Sequence, residues 1–130
     1  MKNKFPLFIC VIFSFIFLNG CSGKVNNSVT FKNNALGTIF VNFRGDAISI
    51  APGNSATVQE IPKGTYNYDT NLSLPAGAIG WSEQGAFKGT LILSAGTRIS
   101  ILYTSTLING AYVLTATISS SDDQGTLTSP

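Results

Sequence analysis

Histidine is absent from this chain of 130 residues, and cysteine occurs only twice. Without histidine, the chain lacks the commonest general base, the Ser-His-Asp apparatus and the imidazole ligands of most zinc and copper sites. Cys10 and Cys21 both lie near the N-terminus, so no thiol pair remains downstream for a disulfide or a redox centre. These absences argue against most hydrolase and metalloenzyme chemistries.

Charged residues are also scarce, at 11% of the chain. Downstream of Cys21, six basic residues balance six acidic ones, so this part of the chain is close to neutral. A neutral domain without a basic stripe lacks the electrostatic surface of a nucleic-acid binder, and it has no polybasic patch for anionic lipid. The sequence therefore predicts no nucleic-acid partner.

The N-terminus combines a basic start with an apolar run. Lys2 and Lys4 precede residues 5–18, which are almost wholly apolar. This run has the length of the apolar region of an export signal, and it falls short of the roughly 20 residues that a membrane-spanning helix needs. Gly20 then supplies the small residue at which a signal peptidase cuts. Residues 1–20 are therefore predicted to be a signal peptide.

The tetrapeptide Leu18-Asn19-Gly20-Cys21 adds a more specific signal. Its leucine, glycine and cysteine resemble positions −3, −1 and +1 of the lipobox in bacterial lipoprotein precursors. The resemblance implies that the thiol of Cys21 receives a diacylglyceryl group and that the preceding peptide is removed. It also implies that the new amine is acylated.

Two or three acyl chains on one residue hold a protein on a membrane stably, whereas a single chain gives only marginal binding. Residues 21–28 then form the lipidated N-terminus and a short polar spacer. The resemblance implies that Ser22 favours the outer membrane in a host with two membranes. We therefore expect a lipid-anchored protein of the bacterial cell envelope.

Downstream of the spacer, no segment has the apolar spacing of a helix, and the prevailing period is two. Ile39, Val41 and Phe43 alternate with other residues as a half-buried strand requires. Several such segments follow, separated by turn signals, and the pattern is typical of an antiparallel sandwich or barrel. We expect an all-β fold, a small antiparallel β-sandwich of about seven to eight strands. It should occupy residues 29–119, followed by a flexible polar tail over residues 120–130.

Three turns are especially well marked. Pro52-Gly53-Asn54 and Pro62-Lys63-Gly64 combine a fixed φ with residues that tolerate positive φ. Asn109-Gly110 is typical of a two-residue hairpin turn. The two proline turns, followed by Tyr66 and Tyr68 in alternation, resemble transthyretin-like and carboxypeptidase-regulatory modules, and also PEGA repeats. This resemblance implies a β-sandwich and implies nothing about activity.

Residues 72–90 are the least regular stretch of the domain, because Pro75 and four glycines interrupt them. Trp81 and Glu83 fall inside this stretch, so we expect both on a loop. Loops carry binding residues more often than regular elements do.

Catalytic and metal-binding patterns are weak. Asp69 and Glu83 could meet across strands and act as the carboxylate pair of a glycoside hydrolase, but solvated loop carboxylates are the better explanation. Asp122 and Asp123 do not fill the positions of a calcium-binding loop. We therefore expect no enzyme, no metal and no cofactor.

Aromatic side chains are the remaining candidates for a binding site. Tyr66, Tyr68, Trp81, Tyr103 and Tyr112 could form a platform on which a sugar ring or a peptide stacks. Strand aromatics usually belong to the core, whereas Trp81 either covers the core or contacts a ligand. The candidate ligand contacts are Trp81 and Tyr68.

Three functional hypotheses follow. The first is a non-enzymatic binding module for a protein or glycan partner, held on the membrane through the lipid on Cys21. The second is a structural accessory subunit of an envelope or secretion assembly. A glycan hydrolase is the third.

Overall fold

The computed structural model describes residues 27–121, and these residues form nine β-strands. The strands are β1 (Ser28–Asn34), β2 (Ile39–Phe43), β3 (Asp46–Ile50), β4 (Ser55–Val58), β5 (Gly64–Leu72), β6 (Gly80–Gly85), β7 (Lys88–Leu93), β8 (Arg98–Ile108) and β9 (Ala111–Ser120). The predicted signal peptide, Cys21 and most of the predicted tail lie outside the described residues. Among the described residues, no helix has the length and apolar character needed to cross a membrane.

The nine strands form two sheets that pack face to face. One sheet has five strands in the order β4-β1-β8-β9-β6, and the other has four in the order β3-β2-β5-β7. The predicted all-β sandwich is thereby confirmed. The sheets differ from the prediction in detail, because β1 pairs in parallel with β8 and β6 pairs in parallel with β9. The described strands also outnumber the predicted seven to eight.

Alternating side chains build the core between the sheets. Ile39, Val41 and Phe43 are buried, as predicted, and the residues between them are exposed. The ring of Phe43 meets that of Phe31 edge-on, with ring centroids 5.8 Å apart. Phe31 comes from the five-stranded sheet and Phe43 from the four-stranded sheet, so this pair joins the two layers. Edge-to-face aromatic pairs of this kind are favourable beyond the area that they bury.

Tight turns close the hairpins of both sheets. Asn109 and Gly110 have φ values of 53° and 81°, and they join β8 to β9 as predicted. Between β2 and β3 the turn residues are Arg44 and Gly45, with φ values of 54° and 81°. In both cases positive φ at two successive residues matches the twist of the flanking strands.

The prediction that Trp81 and Glu83 lie on a loop was wrong. Residues 80–85 form β6, and β7 begins at Lys88. All six residues of β6 are exposed, so this strand has no alternation of apolar and polar residues. It is a strand because its backbone pairs with β9, a partner about thirty residues away in sequence.

The domain has two poles, defined by the direction of its longest strands. At the N-terminal pole, Ser28 lies beside Arg98, and the Arg98 N–H donates to the Ser121 hydroxyl at 3.0 Å. Both ends of the described chain therefore lie at this pole. Asn109 and Gly110 mark the opposite end, the hairpin pole. The 11 residues of β8 run from one pole towards the other, a length of roughly 35 Å at about 3.3 Å per residue.

Candidate functional site

A cleft of about 420 Å³ opens at one edge of the sandwich, between the end of β5 and the edge strand β6. We call it the β5–β6 cleft. It is lined by residues 69–71 of β5, by Glu83 and Gly85 of β6, and by Phe87 and Lys88. Its volume falls within the roughly 300–1,000 Å³ of small-molecule sites.

The cleft exists because β7 is shorter than β5. The pairing of the two strands ends at Asp69 and Lys88, and β5 continues to Leu72 with β2 alone as its neighbour. Just before Lys88, Ala86 and Phe87 carry the chain from β6 in the five-stranded sheet to β7 in the four-stranded sheet. The position that a longer β7 would fill beside β5 is therefore open.

Gly85 makes this crossing possible. Its φ is +94°, and a Cβ at this position would overlap the carbonyl oxygen of Ala116. The next residue completes the attachment, because the Ala86 N–H donates to that same oxygen at 3.0 Å. Only glycine combines this φ with so close a backbone approach.

The base of the cleft is rigid and buried. The ring of Phe87 packs against that of Tyr103, with centroids 6.0 Å apart. Tyr103 is fully buried, and its hydroxyl forms a 2.7 Å hydrogen bond with the Thr70 hydroxyl. Burial raises the pKa of Tyr103 to about 12, the bond with Thr70 lowers it in part, and neighbouring Tyr68 raises it slightly. The phenol therefore remains protonated at neutral pH.

Of the two predicted ligand contacts, Tyr68 belongs to this base. Its side chain is 4% exposed, and its hydroxyl donates to the Ala86 carbonyl oxygen at 2.7 Å. Burial also raises its pKa. Tyr68 thus holds the crossing segment in place from below, and its ring faces Phe31 in the core at 6.5 Å.

Trp81, the second predicted contact, lies at the surface with 55% of its side chain exposed. Trp81 pairs with Tyr112 and Glu83 pairs with Leu114. Because paired residues of neighbouring strands point to the same side of a sheet, and Tyr112 and Leu114 are buried, Trp81 and Glu83 both point to the inner side. They are about 7 Å apart along the strand. Trp81 does not line the cleft itself, and it lies next to the cleft, beside Glu83 in the direction of the hairpin pole.

The polar side chains of the cleft are not used by the fold. Asp69, Asn71, Glu83 and Lys88 make no side-chain hydrogen bond or ion pair with any part of the chain that the structure describes. Earlier on the outer face of β5, the Asn67 side chain does have a partner, because it accepts a hydrogen bond from the Thr90 hydroxyl at 2.9 Å. The cleft thus presents two carboxylates, one amide and one ammonium group to solvent.

The predicted carboxylate pair of Asp69 and Glu83 does share this cleft. Both residues are exposed. A glycoside hydrolase keeps its general acid in an apolar pocket that holds the carboxyl group protonated, and this cleft is mainly polar. No group of three or more residues among the described ones is arranged to hold a metal ion.

A second depression, of about 490 Å³, lies at the N-terminal pole where the chain enters the domain. Asn27, Gln59, Glu60 and Arg98 contribute to its lining. Asn27 is fully buried there, and its side chain donates to the Ile61 carbonyl and accepts from the Thr97 N–H. Its side chain is therefore committed to closing the fold.

Apolar side chains cluster at the hairpin pole. The Ile79 N–H donates to the Gly110 carbonyl at 2.9 Å, and the Ile79 side chain lies over Gly110. Ile79 is 87% exposed, and the Leu36 N–H binds the nearby Ser105 hydroxyl of β8. We call this surface the apolar tip. It comprises Leu36, Leu74, Ile79, Trp81 and Ile108, all exposed.

No protein-family model and no curated protein sequence matches this chain. The site must therefore be judged on its geometry. Sequence reasoning found Trp81, Asp69 and Glu83 but not Asn71 and Lys88. Asn71 and Lys88 line the cleft because β7 begins only at Lys88 and leaves the end of β5 uncovered. No local sequence pattern indicates where β7 begins.

Proposed function

We propose that the protein is a lipid-anchored lipoprotein of the bacterial cell envelope and that its β-sandwich is a non-enzymatic binding module. The lipid is attached to Cys21, and the partner, a protein or a glycan, is bound in the β5–β6 cleft. In a host with two membranes the protein belongs to the outer membrane. This proposal combines the lipobox resemblance of the N-terminus with the geometry of the folded part.

One observation carries the binding role. The sequence contains a single tryptophan, and it is exposed on an edge strand, next to a cleft whose four polar side chains have no hydrogen-bond or ion-pair partner among residues 27–121. Tryptophan is costly to leave in water and is enriched where proteins bind ligands. Binding explains both the exposed indole and the free polar groups.

The positions of the chain entry and of the cleft within the domain agree with an N-terminal anchor. Cys21 lies six residues before Asn27, a distance of at most about 20 Å in extended chain. The N-terminal pole would therefore stay close to the membrane, while Trp81 lies towards the hairpin pole. An anchored domain would present the cleft away from its own membrane.

Metabolic labelling with a clickable fatty acid tests the anchor. The wild-type chain should incorporate the label, and Cys21→Ser should abolish it and leave an uncut precursor. Cys10→Ser is the matched control and should be labelled as the wild type is. Label persisting on the Cys21→Ser chain would refute the lipoprotein proposal.

The apolar tip favours a second candidate, the structural accessory subunit. Uncharged loops carrying exposed Leu and Ile are typical of a surface that another protein covers. In cross-linked cells, such a subunit should co-purify in a complex of fixed stoichiometry, and Ile79→Ser or Ile108→Ser should disrupt it. Ile92→Ser, at an apolar side chain equally exposed but on β7, should leave it intact. Retention of the complex by the tip variants would exclude this role.

A further inference from the structure

We infer that the β5–β6 cleft binds a glycan that carries a free, protonated amino group. The inference rests on the proposed binding function and names the class of ligand. Its three supports are the charge of the cleft, the position of the indole, and the supply of free hydrogen-bonding groups.

The charge of the cleft selects a cationic ligand. Glu83 reaches it from the inner side of β6, whereas Asp69 lies at its rim on the outer face of β5 beside Lys88, the one cation among the lining residues. Because none of the three forms an ion pair within residues 27–121, the cleft carries one net negative charge. A ligand with an ammonium group would compensate this charge, whereas a uronate or phosphate would add to it.

The indole of Trp81 supplies the apolar part of the site. A sugar ring has one face of C–H groups and a rim of hydroxyls, so it suits a flat apolar surface bordered by polar side chains. Trp81 lies about 7 Å from Glu83 on the same side of β6. This spacing places the indole one sugar ring away from the carboxylate.

Free hydrogen-bond acceptors and donors supply the remaining contacts to the ligand. Asn71 offers both an amide oxygen and an amide NH₂, and the carboxylates accept from hydroxyl groups. All line the cleft without a hydrogen-bond or ion-pair partner among residues 27–121, and Asn71 and Asp69 reach it from the outer face of β5. Since the backbone on each side is fixed in a strand, only the side chains need to be ordered when a ligand binds.

Intrinsic fluorescence measures this binding directly, because the sequence contains one tryptophan. The purified full chain in detergent is titrated with glucosamine oligosaccharides below the pKa of the sugar amine. N-acetylated oligomers and galacturonic acid oligomers of the same length serve as comparison ligands. We expect the amino oligomers to change the emission, and the acetylated oligomers to bind several-fold more weakly. Raising the salt from about 0.01 M to about 1 M should weaken binding of the amino oligomers, since the Debye length shortens roughly tenfold.

The variants separate the contributions. Asp69→Asn and Glu83→Gln should each weaken binding about two- to fivefold, as expected for exposed ion pairs. Trp81→Ala, followed by calorimetry, should weaken it about tenfold or more, and Trp81→Phe should restore part of the loss. Asp46→Asn is the matched control, because Asp46 is an exposed carboxylate in the same four-stranded sheet as Asp69, on the edge strand β3 far from the cleft. Its affinity should equal that of the wild type, and thermal melts should show that all variants fold.

Equal affinity for amino and acetylated oligomers, or no loss with Asp69→Asn and Glu83→Gln, would overturn the inference. A photo-crosslinker at position 83 in intact cells distinguishes this result from failure of the proposed function. If it yields a protein adduct that Trp81→Ala abolishes, the cleft is a protein-binding site and only the glycan inference fails. Absence of both glycan binding and a protein adduct would refute the binding function as well.

Discussion

Tyr103 is the residue whose chemistry depends most on the fold. Its phenol has an ordinary pKa of 10.0, and burial raises this pKa to about 12. Between these values the unfolded chain loses the proton while the folded chain keeps it, so the unfolded state is favoured as pH rises. The free energy of unfolding should therefore be unaffected by this group below pH 10 and should fall between pH 10 and about 12.

Denaturant melts across this pH range measure the effect, with Tyr103→Phe as the comparison. The variant should lose stability at neutral pH, because the buried Thr70 hydroxyl loses its partner, at a cost of about 1–3 kcal/mol. Its stability should also fall less steeply above pH 10. Parallel curves for the two proteins would contradict the assignment of the pH dependence to Tyr103.

In contrast to Tyr103, Trp81 should contribute little to stability, because more than half of its side chain is exposed. Trp81→Ala should lower the free energy of unfolding by under about 1 kcal/mol, as is usual for surface substitutions. Emission from this tryptophan should resemble that of a solvated indole. Blue-shifted emission with a loss of about 3–5 kcal/mol, the range for a buried tryptophan, would show that the side chain covers the core.

Which residues are buried could largely be predicted from the sequence, whereas the polar residues that close the fold could not. Alternation identified the inward residues of β2 because a strand places every second side chain on one side. Asn33 is a polar residue that is fully buried within β1. Its amide donates to the Gly37 and Ile50 carbonyls at 2.9 and 2.8 Å. Ile50 lies 17 residues away, and no local pattern reports such a contact.

Among the elements, the crossing from β6 to β7 is the most sensitive to substitution. Gly85→Ala would force a Cβ against the Ala116 carbonyl at a positive φ. We expect a loss of at least about 2 kcal/mol, together with weakened ligand binding in the cleft. Gly80→Ala is the matched control, because a Cβ at the other end of β6 meets open space. Equal melting temperatures for the two variants would show that the crossing can relax.

The strand pairings that could not be predicted share one property. β6 is a strand of six exposed residues, and both it and β1 owe part of their pairing to parallel partners far along the chain. Parallel pairing requires a long connection, and its partner is chosen by the whole fold. The Asn109-Gly110 hairpin was predictable because its turn residues fix the pairing of their immediate neighbours.

For the molecule as a whole, the placement of both described ends at the N-terminal pole has a mechanical consequence. If the lipid holds the chain at Cys21 and the ligand is held near Trp81, any tension between them enters through Asn27 and runs along β1. β1 lies between β4 and β8 and pairs in parallel with β8 over seven residues. Tension along this axis strains all of these pairs in shear at once, whereas a pull across the sheet would open them one at a time.

Single-molecule stretching should therefore measure a higher unfolding force when the chain is held at its N-terminus and at Asn109 than when it is held across the sheet, at Thr57 of the edge strand β4 and Ser82 of the edge strand β6. Similar forces in the two directions would mean that β1 does not resist the pull. A domain built in this way can hold on to an immobile partner while the membrane beneath it moves.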